Sequence, residues 1–482
     1  MPSQGHQLYA DSEEGSNLRP SIAWFRDDLR VRDNPALRAA VDDGAAVALY
    51  VLDEESPGIR PHGGAARWWL HHSLAALRDD LASLGIPLLL RRGPAAAVVQ
   101  EITTAVGAGA LFWNRRYGPA ERMVDAGIKT WAREAGMHVE SFQASLLHEP
   151  WEVTTKTGGQ YKVFTPFWRT VSAQDFRDPL AAPASGHGYA GELTGGDSLE
   201  SWHLLPTNPD WSTGLGEAWT PGSAAGHQRL RQFVADGLAN YSEGRNRPDV
   251  DGSSCLSPYL RWGELSPFEV WHALASNSSE SRGIFASELG WREFCWHQYF
   301  HNPDLATANL RKEFDHFPWA WPDGDGSRPA NAQEGHESAA EELRAWQQGR
   351  TGFPLVDAGQ RQLWQTGWMH NRVRMVAASF LVKNLGIHWQ LGEQWFWDTL
   401  VDADPASNPA NWQWVAGSGA DASPFFRIFN PQAQRTKFDP QGKYIARWIE
   451  EFGTPDYPEE IVDLKTTRQD ALDAYKGLKE VH

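Results

Sequence analysis

Asn408-Pro409-Ala410-Asn411-Trp412-Gln413-Trp414-Val415-Ala416-Gly417-Ser418-Gly419-Ala420-Asp421, closed by Phe426-Arg427-Ile428-Phe429-Asn430-Pro431, is the densest part of a segment that runs from Thr351 to Pro431. It crowds together tryptophans, amides beside acids, and small residues that let a ligand approach the backbone. Such a mixture suits a planar aromatic ligand. Upstream, residues 367–381 read as a helix, because Val373, Val376, Ala377, Phe380 and Leu381 recur at three- and four-residue spacing. Asn371 and Arg374 then share another face. Trp389 and a second aromatic helix over residues 393–400 lead to Asp402-Ala403-Asp404. Taken singly, each of these residues reads as Trp-rich core or surface charge. The ordered set points instead to one shared ligand.

Working outward, 482 residues exceed what one hydrophobic core usually supports, so at least two domains are expected. Residues 1–19 lack periodicity and read as a disordered lead-in. From residue 20 to 150, short apolar runs (21–25, 45–52, 87–90, 110–113, 138–142) alternate with helical patterns (35–41, 65–84, 95–106, 119–135). Strands spaced by helices imply an α/β domain with a doubly wound parallel sheet and a ligand crevice at its carboxyl edge. No Gly-x-Gly-x-x-Gly or Gly-Lys-Ser/Thr loop supports a dinucleotide or triphosphate there. Residues 151–226, rich in Gly, Pro, Ser and Asp, read as an interdomain connector. From 227 to 482 the pattern is helical throughout, an all-α domain.

The net charge of −17 argues, taken alone, against a nucleic-acid partner, so local charge must carry any DNA binding. Two cysteines, Cys255 and Cys295, exclude a disulfide framework and a four-cysteine iron–sulfur cluster. Without a signal-peptide pattern or a long apolar run, a cytoplasmic protein with no membrane contact is expected.

The motifs Trp24-Phe25-Arg26-Asp27-Asp28-Leu29-Arg30, Gly367 to Met375 and Asn408 to Pro431 resemble the photolyase/cryptochrome family, most closely the photolyases that repair cyclobutane pyrimidine dimers, of class I or class III. The resemblance covers residues 21–451. It implies that the helical domain binds FAD and that the α/β domain carries an antenna, either methenyltetrahydrofolate or a deazaflavin. By that resemblance Tyr241, Ser253, Ser254, Leu256 and Ser257 wrap the flavin's phosphates and ribityl chain, as short hydroxyls and open amides suit phosphate oxygens. Asn371, Arg374, Asp402 and Asp404 form the core of the flavin site, with Glu288 and Trp291 bordering it. Asn408 faces flavin N5. Its amide can donate or accept. Trp412, Trp389 and Trp321 match an electron-transfer chain, with Trp412 innermost and Trp321 nearest solvent, although Trp319 also suits the outer place.

For the substrate, the same resemblance puts Glu288 and Trp291 against a flipped dimer, with Met375 and Trp414 completing the wall. Arg245, Arg247, Arg372, Arg427, Arg435 and Lys437 form a phosphate-binding rim. Asn246 stands where the family usually carries an acid. Glu121 matches a folate-contacting acid, but Ala120 replaces its usual asparagine neighbour. Asn371 and Met375 stand where photolyases for the (6-4) photoproduct carry a histidine pair. The expectation is a light-dependent photo-lyase for UV-damaged DNA, single- or double-stranded, acting as a monomer. The alternative is a cryptochrome-type photoreceptor, against which Asn408 and the Glu288/Trp291 pair both argue.

Overall fold

The computed structural model describes residues 19–277, 279–322, 328, 332–334, 338–422 and 426–480. The expected disordered lead-in therefore lies outside the described residues, apart from position 19.

Among the described residues, β1 (Ser21–Phe25), β2 (Ala46–Leu52), β3 (Leu88–Arg92), β4 (Ala110–Asn114) and β5 (His138–Phe142) form one parallel sheet in the order β3-β2-β1-β4-β5. Helices α1 (Pro35–Asp43), α2 (Gly64–Ser83), α3 (Ala95–Ala105) and α4 (Pro119–Glu134) connect successive strands. β1, β2 and β4 are buried along their whole length, which is why they read as continuous apolar runs rather than alternating ones. Side chains still alternate between faces. Ile22, Trp24, Val47, Leu49, Leu111 and Trp113 pack with α3 and α4, whereas Ala23, Phe25, Ala48, Tyr50 and Phe112 pack with α1 and α2.

The second of these cores does not stop at the domain edge. Through Trp69, Leu70 and Leu74 of α2 it continues into Trp202, Leu215, Leu230, Trp262, Leu265 and Val401. A further core around Trp346, Phe380, Trp389 and Trp412 belongs to the helical half. The segment expected to be a connector joins the core that crosses the domain edge through Leu199, Trp202, Leu204 and Leu215, and forms a smaller core of Val153, Phe164, Phe167 and Val171 with Phe294 of the helical half. Its Phe164–Val171 helix packs Phe164 face to face on Trp291, with ring centroids 3.8 Å apart and planes 8° from parallel.

Three helical expectations change. Residues 367–370 are a turn, not the first turn of a helix. Gly367, at φ +65°, caps the Pro354–Thr366 helix, and the His370 ring nitrogen Nδ1 accepts from the Arg372 N–H (3.2 Å) to start the Asn371–Ser379 helix. The expected helix over 230–238 is the end of Ser223–Gln232 running into a π turn, Phe233–Gly237. Pro431–Phe438 and Leu464–Glu480 are helices that the polar sequence concealed. The latter docks on the helical core through Ala474, Tyr475 and Leu478.

Candidate functional site

Three helices and one loop converge on a cavity of about 450 Å³. The Glu280–His301 helix contributes Glu288 and Trp291, three residues apart and so on one face. The Asn371–Ser379 helix contributes Asn371, Arg374 and Met375, and the Ser407–Ala416 helix contributes Asn408, Trp412 and Trp414. Asp402 and Asp404 come from the loop between helices. The volume lies within the roughly 300–1,000 Å³ typical of cofactor sites.

The polar groups here are only partly paired with one another. Arg374 grips Asp402 in a fork, Nη1 to Oδ1 at 3.1 Å and Nη2 to Oδ2 at 2.9 Å, and its Nε donates to the Met369 carbonyl at 2.7 Å. An ion pair this buried barely offsets its own desolvation, so a ligand dipole that both groups serve is the simplest reason for it. Oδ1 of Asp404 accepts from the N–H groups of Ala406 (3.0 Å) and Ser407 (2.6 Å), which ties the loop to the start of the Ser407–Ala416 helix. Nδ2 of Asn408 donates to both the Glu393 carbonyl (3.0 Å) and Glu393 Oε1 (2.8 Å). Both amide hydrogens are thereby used, and Oδ1 is the atom left for a ligand.

At the mouth, Glu288 pairs with Arg245 at 2.6 Å. Burial raises the Glu288 pKa above the usual carboxylate range, and Arg245 pulls the other way. Arg372 donates to Asn246 Oδ1 at 2.6 Å, a charge-assisted hydrogen bond rather than an ion pair. Arg427 lies 5.2 Å over the Trp414 ring. Of the remaining rim, Arg247 is paired with Asp249, and Arg435 and Lys437 lie on the Pro431–Phe438 helix.

The loop expected to wrap phosphates is brought to the cavity through Ser257 alone. Ser253 and Ser254 turn their carbonyls to Arg229, while Leu256 is buried and Tyr241 packs against Phe233 and Phe285. These four do not line the cavity.

Behind Trp412 lie the other indoles that the resemblance singled out. A side chain at Gly392 would collide with the Trp412 ring, which packs on Phe396 (5.0 Å) and Trp346 (6.1 Å), and Trp389 lies one turn before Gly392 on the same helix. His388 then lies against Trp389 (5.8 Å), Trp319 (5.4 Å) and Trp321 (5.6 Å). Trp321 is 2 % exposed and Trp319 1 %, so Trp321 does not form the expected solvent end. Both are held under the surface by the parallel bridge of Ala320 to Ile387.

The antenna expectation also changes. Glu121 faces a second cavity, at the carboxyl edge of the sheet, of about 90 Å³. That is smaller than a folate or deazaflavin, with Arg26 and Arg116 paired to Asp125 and Arg261 to the part-exposed Asp27 around the crevice.

Sequence reasoning missed Glu393, which orients Asn408, and Phe164, which backs Trp291. Glu393 was visible as the residue four places after Trp389, on the face turned toward Asn408. Phe164 lay in a segment without a helical period.

A family model described as DNA photolyase matches residues 21–184, and one described as the FAD binding domain of DNA photolyase matches residues 285–455. A deoxyribodipyrimidine photo-lyase of Agrobacterium fabrum is 44% identical, covering 96% of this chain and 98% of that protein. Cryptochrome-1 of Arabidopsis thaliana is 38% identical, covering 89% of this chain and 63% of that protein. The solved structure of a bacterial class III photolyase from Agrobacterium tumefaciens is similar with a TM-score of 0.89 at 42% identity, covering 98% of this chain and all of that one. With both halves matched in order and the cavity built from the residues that carry the resemblance, the chain belongs to the DNA photolyase family.

Proposed function

We propose that the protein splits cyclobutane pyrimidine dimers in UV-damaged DNA under blue light, with FAD held in the 450 Å³ cavity. One observation carries this reading. The flavin-type floor of Asn371, Arg374, Asp402 and Asn408 shares its cavity with a wall of Glu288, Trp291, Met375 and Trp414. When bound in its reduced form and excited, FAD supplies an electron that opens the cyclobutane ring and then returns, so the reaction is redox-neutral.

The residues present fit that cofactor. Asn408 presents Oδ1 as an acceptor, and the Arg374–Asp402 pair offers a donor and an acceptor side by side. Glu288 hydrogen-bonds the flipped lesion, and Trp291 and Trp414 pack on it. Flipping costs a few kcal/mol of unstacking, as for base-flipping enzymes in general, photolyases included. Aromatic stacking, worth roughly 1–3 kcal/mol per base, offsets much of it. Trp412 and Trp389, with Trp319 or Trp321 beyond them, deliver electrons toward the cavity. Asn371 and Met375 leave no histidine pair, which favours the cyclobutane dimer over the (6-4) lesion. The protein works as a monomer on single- or double-stranded DNA.

The test is illumination of the purified, reduced protein with dimer-containing single-stranded DNA, following recovery of thymine absorbance, with Glu288→Ala beside it. Light-dependent recovery that falls in the variant is expected. Flavin photochemistry with no loss of dimer would favour a cryptochrome-type receptor, the reading that the Arabidopsis relative keeps in view.

For the antenna, a cleft of about 680 Å³ lined by Trp211, Trp364, Trp395 and Trp448 suits a planar pterin better than the Glu121 crevice. Trp364 is 57 % exposed and its ring is parallel to that of Trp395 within 2°. Beneath them Gln360 accepts from Trp395 Nε1 at 3.0 Å, while its buried Nε2 has no partner among the described residues. Trp364→Ala is expected to abolish any near-ultraviolet antenna absorption and leave the flavin spectrum intact.

A further inference from the structure

Glu393, the residue that orients Asn408, is itself held from the other end of the chain. Its side chain is 3 % exposed and accepts a fork from Arg60 of the β2–α2 loop, Nη1 to Oε1 at 2.8 Å and Nη2 to Oε2 at 3.0 Å. The same Oε1 accepts from Asn408 Nδ2. Arg60 is in turn clamped. Its guanidinium lies 4.1 Å over the ring of Trp397, one turn beyond Glu393, and Trp397 Nε1 donates to the Pro61 carbonyl at 2.9 Å. Gly63 is packed directly on the Trp397 backbone, with no room for a Cβ, and the N–H of Gly64 donates to Asp398 Oδ1 at 2.8 Å. The α/β domain thus grips the helix that carries both Trp389 and Glu393.

We propose that Arg60 is a positioning residue for the flavin, acting through Glu393 to fix which atom of the Asn408 amide faces the cofactor; this rests on the FAD reading above. The Glu393 carboxylate and carbonyl oxygens accept, so Asn408 turns its N–H groups to them and its Oδ1 to the cavity. Without Arg60 the Glu393 carboxylate loses the fork that fixes it, and the Asn408 amide keeps only its bond to the Glu393 main-chain carbonyl, which loosens the placement of Oδ1 at the cavity. Arg60 therefore keeps an acceptor at the flavin's N5 edge and favours the form of the cofactor that carries a proton there.

Three variants, read through the reduction potential of the bound flavin, decide the matter. Arg60→Met is expected to lower the potential, with Asn408→Ala lowering it at least as far, and Arg60→Met adds nothing in an Asn408→Ala background. An effect that persists in that background would mean that Arg60 acts by its own charge and overturns the proposal. An unchanged potential in Arg60→Met overturns it also. Asp398→Ala removes the Gly64 bond of the same interdomain contact without touching Arg60 and is expected to lower the melting temperature at constant potential, so a shift there as large as in Arg60→Met would reduce Arg60 to interdomain packing and sink the idea. Failure of the FAD reading is separable, because the wild-type protein would then hold no flavin to titrate.

Discussion

The carboxyl edge of the sheet and the cavity among the helices are both buried clusters of arginine, aspartate and asparagine, yet they do opposite things. At the sheet edge most of the polar groups close on one another, with Arg26 Nε, Arg116 Nε and His62 Nδ1 left without a partner among the described residues. Asp28 accepts from the Arg26 N–H and from Asn114 Nδ2, both at 2.6 Å, while Arg26 reaches Asp125 and the Asn114 carbonyl. Arg30 donates to the carbonyls of Gly263 (2.8 Å) and Ala144 (3.0 Å), and Arg261 meets Asp27 at 2.8 Å, tying the two halves of the chain together. The space left over is about 90 Å³. In the helical cavity, Asn408 keeps an acceptor and the Arg374–Asp402 pair keeps a face, around about 450 Å³. A buried polar cluster that satisfies itself is a brace, and one that keeps atoms in hand beside a void is a site.

Substitutions can break this contrast, beginning with the largest effect. Asp402→Ala strands Arg374 in the cavity, at a cost of about 3–5 kcal/mol, and should reduce FAD affinity by two to three orders of magnitude, measured by fluorescence titration of the apoprotein. If the variant retains flavin as the wild type does, the Arg374–Asp402 pair is a brace after all. Asp28→Ala should cost about 2–3 kcal/mol of stability through the donors it strands, while FAD binding and repair persist below the lowered melting temperature. Loss of flavin from the folded variant would show that the sheet edge is functional. Lys437→Gln, on the rim, should weaken dimer-containing DNA by less than tenfold and reduce the slope of log K against log salt by about 0.9, the contribution of one phosphate contact. An unchanged slope would remove Lys437 from the interface.

The same contrast shows how far the residues could be read in order. The sheet was legible because each strand is a short continuous apolar run between helical patterns, a local signal, and its observed bounds differ from expectation by two residues or fewer. The Trp24–Arg30 motif carried the family resemblance, but a string of charges does not say whether its partners lie within it or across the fold. The turn at residues 367–370 was hidden because the apolar period of the following helix runs smoothly back through it, and φ +65° at Gly367 is what interrupts the helix. Leu464–Glu480 was hidden for the converse reason, since few of its side chains are buried.

Within the site, residues that share one helix were found, because spacings of three and four place them on one face: Glu288 with Trp291, Asn371 with Arg374 and Met375, Asn408 with Trp412. Their partners from distant segments were not. Arg60 and Glu393 are 333 positions apart, and Phe164 reaches Trp291 from a stretch that had the composition of a linker. The amino-acid sequence by itself determined the parallel sheet, the helical half, the family and many of the groups that line one cavity, since these depend on local period and on ordered motifs. Only the tertiary structure decided which buried charges cancel and which stay available, because that depends on contacts whose loops span most of the chain and on the volume they leave unfilled.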